Sequence, residues 1–157
     1  MPHTHESLCY TVEVFVIYNG KVLLRKHDKY KIWLSIGGHI ESGEDPNQAA
    51  IREVKEEVGL KVKLVEASSM NPPTNKDYRE LIPPRFTNCH RVSPTHEHVT
   101  LVYFARAQTD RILNEGEEQS EECKWFTKED IDSGKYDLKD HIKFYAKEAL
   151  RELSERR

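Results

Sequence analysis

The stretch from Gly38 to Leu60, GHIESGEDPNQAAIREVKEEVGL, constrains this chain more than any other. Pro46 to Val58 predicts a helix: Asp45 suits the N-cap, Pro46 the first turn and Gly59 a left-handed terminus. On a helical wheel Ala50, Ile51, Val54 and Val58 fall within about 100°, the usual width of a buried stripe. Glu53 and Glu57 are four residues apart and stack on one face, with Glu56 beside them and Lys55 opposite. The wheel places these carboxylates in a patch rotated from the apolar stripe, and Glu44, just before the helix, can fold back toward it. Like charges at this spacing cost about a few tenths of a kcal/mol per pair. They also lie toward the C-terminal end, where the helix dipole disfavours negative charge. Arg52 stands only at the margin of the acidic face. A hard divalent cation, Mg²⁺ or Mn²⁺, resolves the conflict, because such ions take carboxylate oxygens and bridge them to phosphates. The alternative is a solvated acidic surface.

Short alternating runs flank this segment. Tyr10–Tyr18, with Val12, Val14 and Val16 at every second position, predicts a strand. Asn19-Gly20 predicts a tight hairpin, and Lys21–Lys26 the returning strand. Trp33–Ile36 is a short apolar piece running into Gly37-Gly38, which permit close backbone approach. Val62–Ala67 and Val99–Ala107 read as strands, Lys124–Phe126 as an edge strand, and Phe86–Val92 as a strand inside the proline-rich loop Met70–Pro94. Asp137–Arg157 predicts a final helix, with Leu138, Ile142, Tyr145, Ala149 and Leu153 at three- and four-residue steps. Strands interleaved with two long helices give an α/β (α+β) sandwich, a mixed sheet with a helix on each side. The 157 residues match the length of one ordinary domain.

Composition removes several function classes. The longest apolar runs, Val14–Tyr18 and Leu101–Ala105, are five residues each, far short of a membrane-spanning helix. A formal charge of −3 argues against a nucleic-acid polymer as partner. Cys9, Cys89 and Cys123 are odd in number and widely spaced, so no disulfide framework is expected. The N-terminus has neither the basic flank nor the apolar core of a signal peptide, and a cytoplasmic protein is expected.

Gly38, Glu44, Arg52-Glu53-Val54, Glu56-Glu57 and Gly59-Leu60 match every fixed position of the Nudix box. Leaving aside the aliphatic positions Val54 and Leu60, the seven single-letter positions at ordinary frequencies match by chance on the order of a few times in a billion. The chain therefore resembles the Nudix hydrolases. The upstream hairpin, Trp33–Gly38, the strand Val99–Phe104 and the segment Glu122–Phe126 also look like that family. The resemblance implies an α/β/α sandwich and Mg²⁺-dependent (or Mn²⁺-dependent) hydrolysis of a nucleoside diphosphate linked to another group. A small-molecule nucleotide is the expected substrate, a (deoxy)nucleoside triphosphate foremost. A dinucleoside polyphosphate or an ADP-sugar is the alternative, and a non-catalytic nucleotide-binding module a further one. It also implies that Glu53, Glu56 and Glu57 hold metal with the Gly38 carbonyl, that Glu44 is an outer or occasional ligand, and that Arg52 orients the glutamates. Many relatives form homodimers, and nothing in this sequence locates an interface.

Outside the box the residues speak less specifically. Glu97, Glu118 and Glu121 are candidates for the general base, the last two in the acidic run Glu115–Glu122. Arg85 suits a phosphate or base grip, Tyr78 and Phe86 can stack on a base, and His39 follows the glycine pair where it can touch phosphate. Cys89-His90 with His96 and His98 matches no standard zinc spacing, and a protein-held zinc is not expected. An isoprenoid diphosphate isomerase would need a reactive cysteine, and no cysteine here lies in a motif of that kind. Glu57→Gln is expected to abolish Mg²⁺-dependent turnover with the fold intact, as read by a phosphate-release assay beside circular dichroism.

Overall fold

A hairpin begins the fold. Asn19 and Gly20 take positive φ angles of 47° and 72°, turning strand β1 (Ser7–Tyr18) back into β2 (Lys21–Lys26). The structure, a computed structural model, describes residues 7–66, 72–113 and 122–155. The chain continues through β3 (Trp33–Leu34), β4 (Ile36–His39), α1 (Pro46–Val58), β5 (Val62–Leu64), β6 (Phe86–Ser93) and β7 (His96–Ala107). It ends with β8 (Cys123–Phe126), α2 (Lys128–Asp132) and α3 (Asp140–Glu155). No helix among the described residues is long and apolar enough to cross a membrane.

β1 is the spine of the mixed sheet. It pairs in parallel with β7 along most of its length, from Ser7 opposite His96 to Ile17 opposite Arg106. On its other edge it meets β2 and then β4, both antiparallel. β6 and β5 cover the outer edge of β7, and β8 pairs with β2. Alternation sends Phe15 and Ile17 to one face and Val12, Val14 and Val16 to the other, so β1 is apolar on both faces from Val14 to Ile17. On the first face α2 and α3 contribute Ile131, Ile142, Tyr145, Ala146, Ala149, Leu150 and Leu153. On the second, α1 contributes Ala49, Ala50, Val54 and Val58. The expected sandwich with a helix on each side is the observed fold.

The acidic helix spans the predicted residues, with both predicted ends. The Asp45 side chain accepts from the Gln48 N–H, Gln48 answers with a bond to the Asp45 backbone, and Gly59 closes the helix at φ 68°. Its inward side differs from the wheel reading. Ile51 is exposed and Ala49 takes its place in the core, so the buried arc is turned toward Glu53 and Glu57. Apolar pattern alone weighed Ile51 as the larger hydrophobe, whereas the glycine at position 38 of β4 leaves room for the Glu53 carboxylate on the inward side of the helix. Other differences are modest. Gly37 and Gly38 lie within β4, where a Cβ on Gly37 would strike the Val12 carbonyl. The last helix begins at Asp140, because the Asp137 carbonyl accepts the Trp33 N–H and Leu138 bridges to Trp33. The short α2, capped by Thr127 and Asp130, was legible only in its Thr-x-x-Asp spacing.

Glu13 is the charged exception in β1. Ser35 Oγ donates to Glu13 Oε1 at 2.7 Å, and burial, outweighing this bond, pushes the carboxyl above its ordinary pKa. A carboxyl raised in the folded state contributes stability below its unfolded pKa and loses it as pH rises through the folded value. Glu13→Gln keeps an acceptor for Ser35 and removes the titration. Its unfolding free energy is expected to vary less than wild type across that window, measured by denaturant unfolding over a pH series.

Candidate active site

The loop Ile40–Asp45 carries the chain from β4 into α1 and folds Glu44 back over the helix. Glu44 Oε1 accepts the Glu41 N–H at 2.9 Å, which fixes the carboxylate above Arg52. Arg52 carries five N–H bonds, and each meets an oxygen. Nε donates to Glu44 Oε2 at 2.9 Å and Nη2 to Glu44 Oε1 at 2.7 Å, a two-pronged pair. Nη1 donates to Glu53 Oε1 at 2.9 Å and to Glu56 Oε2 at 3.0 Å. The remaining Nη2 proton reaches the His39 carbonyl at 3.0 Å. Arg52 thus ties three box glutamates to the end of β4.

Glu53 and Glu57 are turned inward, with side chains 13% and 11% exposed, while Glu56 is 60% exposed. Gly38 makes the inward turn possible, since a Cβ there would run into the Glu53 carboxylate. Arg25 from β2 approaches Glu57, Nη2 to Oε1 at 3.4 Å. Burial raises the Glu53 pKa above its ordinary value, and the Arg52 bond opposes that rise. The same guanidinium holds Glu44 below its ordinary value. Glu44 in turn raises the Arg52 pKa, so the arginine stays charged.

The charge in this cluster is unbalanced. Among the described residues five carboxylates gather about two guanidiniums: Glu41, Glu44, Glu53 and Glu56 about Arg52, and Glu57 beside Arg25. The donors are hard oxygens, and Arg52 occupies one oxygen each of Glu53 and Glu56, leaving the other. With the side-chain-free Gly38 beside them, this set fits Mg²⁺ or Mn²⁺. The cradle at Gly38 is the feature an ordinary acidic surface would not require.

The remaining sequence candidates are dispersed. His39 gives its carbonyl to Arg52, while its ring meets His98 at 5.0 Å between centroids. Arg85 forms an ion pair with Glu152 of α3 at 2.7 Å and lies over the Phe104 ring. Phe86 packs on Phe104, Phe144 and Tyr145. Both therefore serve the α3 face, opposite α1: the oxyanion expected at Arg85 is the Glu152 carboxylate, and the ring expected at Phe86 is protein. Tyr78 is exposed and donates to Glu80 at 2.7 Å. Its loop is pinned to the start of α1 by Asn47, which exchanges two bonds with Ile82, and by the Arg79–Asp45 pair. Glu97 pairs with Arg91 at 3.4 Å near the start of β7. Glu118 and Glu121 lie outside the described residues.

Two participants escaped the sequence reading. Glu41 is close to Arg52, at 3.9 Å, and Arg25 reaches Glu57. Arg25 shares strand parity with Leu23, which lies in the α1-facing core, so its face was readable; its pairing with one glutamate was not. Gly38→Ala is expected to push the Glu53 carboxylate from its seat and raise the Mg²⁺ concentration for half-maximal turnover about tenfold or more. A Mg²⁺ titration of activity, set beside thermal unfolding, measures this.

A family model described as the NUDIX domain matches residues 8–147. The crystal structure of a hydrolase of the NUDIX family from Clostridium perfringens superposes with a TM-score of 0.79 at 37% identity, covering 92% of this chain and 97% of that one. Among curated proteins, the m7GpppN-mRNA hydrolase NUDT17 of Xenopus laevis is 29% identical over 121 residues. An octanoyltransferase of Myxococcus xanthus is 45% identical over 49 residues. The matches cover 71% and 30% of this chain but only 38% and 14% of those two proteins. With the box glutamates gathered around Arg52 and the match running through nearly the whole fold, the chain belongs to the Nudix family of hydrolases.

Proposed function

We propose that this protein is a Mg²⁺-dependent pyrophosphohydrolase acting on a nucleoside triphosphate or a related nucleotide in which a nucleoside diphosphate is linked to another group. The observation that carries the reading is the placement of Glu53 and Glu56 on Arg52, with Glu57 on Arg25 and the Glu53 carboxylate seated against the side-chain-free Gly38. Members of the family generally use a divalent metal. When bound, such an ion supplies neutralisation of the phosphate oxygens and activation of the attacking water.

The chain's own residues do the positioning. Glu53, Glu56 and Glu57, with the Gly38 carbonyl, hold the cation. Arg52 keeps Glu53 and Glu56 from splaying apart under their mutual repulsion, and Glu44 anchors Arg52 from the far side. Arg25 restrains Glu57 from β2. Water attacks one phosphorus, the anhydride P–O bond breaks, and a nucleotide monophosphate leaves with the remaining phosphate-bearing piece. The proton taken from water passes to a carboxylate, for which Glu97, Glu118 and Glu121 are the candidates outside the box. Tyr78, exposed beside the start of α1, is the stacking candidate for the base. The name of the Xenopus laevis relative, an m7GpppN-mRNA hydrolase, points to a nucleotide-linked phosphate bridge of the same chemical class.

A nucleotide library incubated with Mg²⁺ and resolved by chromatography tests the reading. A nucleoside triphosphate or related nucleotide is expected to yield a monophosphate product, abolished by chelator. Tight nucleotide binding without turnover at saturating Mg²⁺ would replace this reading with that of a nucleotide-binding module.

A further inference from the structure

A second donor set lies on the face of the sheet opposite α1. Cys9, His39 and His96 each present one ligand atom, and the three atoms lie within 4.8 Å of one another. They arrive on three strands. In the β1–β7 ladder Ser7 stands opposite His96 and Cys9 opposite His98, and in the β1–β4 ladder Thr11 stands opposite His39. Alternation puts Cys9 and Thr11 on the side of Phe15, and His96 and His98 on the side of Val102 and Phe104, which is the face covered further along by α3. The Glu53–Glu57 patch belongs to the helix on the other face.

The set has the character of a metal site. The His98 ring stands edge-on to those of His39, His96 and His90, with centroids 5.0, 4.9 and 5.5 Å apart. Ser7 Oγ shares a hydrogen bond with His96 Nδ1, which fixes that ring. A thiolate with two imidazoles is the wrong set for Mg²⁺, which takes oxygen, and the right one for a borderline ion such as Zn²⁺. Tetrahedral zinc, with bonds of about 2.0–2.3 Å, separates its ligand atoms by about 3.3–3.8 Å. Side-chain rotation of about an ångström brings these three to that spacing.

We propose that Cys9, His39 and His96 bind one Zn²⁺ ion, with solvent in the fourth position beside the exposed His39. Cys89, the cysteine suggested by its proximity in sequence to His90, takes no part: it is exposed, with its Sγ near Glu97. The site has a consequence for the acidic helix. The His39 carbonyl accepts from Arg52 and His39 follows Gly38 directly. Zinc on the His39 ring therefore braces, from behind, the backbone against which Glu53 and Arg52 are seated.

Purified full-length protein, stripped by chelator and held in millimolar Mg²⁺ to occupy the glutamates, is titrated with Co²⁺ and then Zn²⁺. One Co²⁺ per chain with a sulfur-to-metal charge-transfer band is expected, displaced by Zn²⁺, and Zn²⁺ is expected to raise the melting temperature. Cys9→Ser should remove the band, and both Cys9→Ser and His96→Ala should weaken Zn²⁺ binding on the order of 100-fold. Cys89→Ser should leave both unchanged. A wild-type protein whose Co²⁺ complex lacks the thiolate band overturns the proposal, whether or not the variants fold. So does a band lost in Cys89→Ser, or Zn²⁺ affinity unchanged in Cys9→Ser and His96→Ala.

Discussion

Glu44, Glu53 and Glu56 sit within hydrogen-bond reach of one guanidinium, and everything at the acidic end of this protein depends on it. Three carboxylates brought together without a cation would spread apart or take up protons. Arg52 opposes both by using all five of its N–H bonds, four on carboxylate oxygens and one on the His39 carbonyl. A lysine, a point charge with three donors, has no such reach. The arginine therefore sets where the glutamates stand before any metal arrives. What it leaves unneutralised is the charge that a divalent ion would meet.

The sheet supplies the rigidity behind that arrangement. β1 is buried on both faces, so a register slip would move its valines and aromatics into the wrong layers. Its parallel pairing with β7 and antiparallel pairing with β4 fix the end of β4 relative to the helix above it. Gly37 and Gly38 are then needed for separate reasons. The first allows β4 to approach the Val12 carbonyl, and the second leaves room for the Glu53 carboxylate. One short strand thus has its two glycines committed to contacts on different neighbours.

The two faces of the sheet are chemically distinct. The α1 face carries oxygen donors and arginines, and the α3 face carries aromatic packing at one end and imidazoles with a thiol at the other. Arg85 and Phe86, which look like ligand-gripping residues in sequence, are used up on the α3 face by Glu152 and by the Phe104, Phe144 and Tyr145 rings. His39 joins the faces, with its carbonyl turned to one chemistry and its ring to the other.

The local features were legible in the sequence because they are set by near neighbours. The Asn19-Gly20 turn, the Asp45 cap, the Gly59 terminus and the span of α1 each follow from residues a few positions apart. The spacing of the glutamates and Arg52 was likewise enough to expect a metal-binding helix of a recognisable family. Tertiary structure decided the rotation of that helix, which put Ile51 outside and turned Glu53 and Glu57 inward, because the free space beside Gly38 does not appear in a helical wheel. It also decided that Arg25 meets Glu57 and that Cys9 meets His39 and His96. Those partners are far apart along the chain, and only strand order and register bring them within reach.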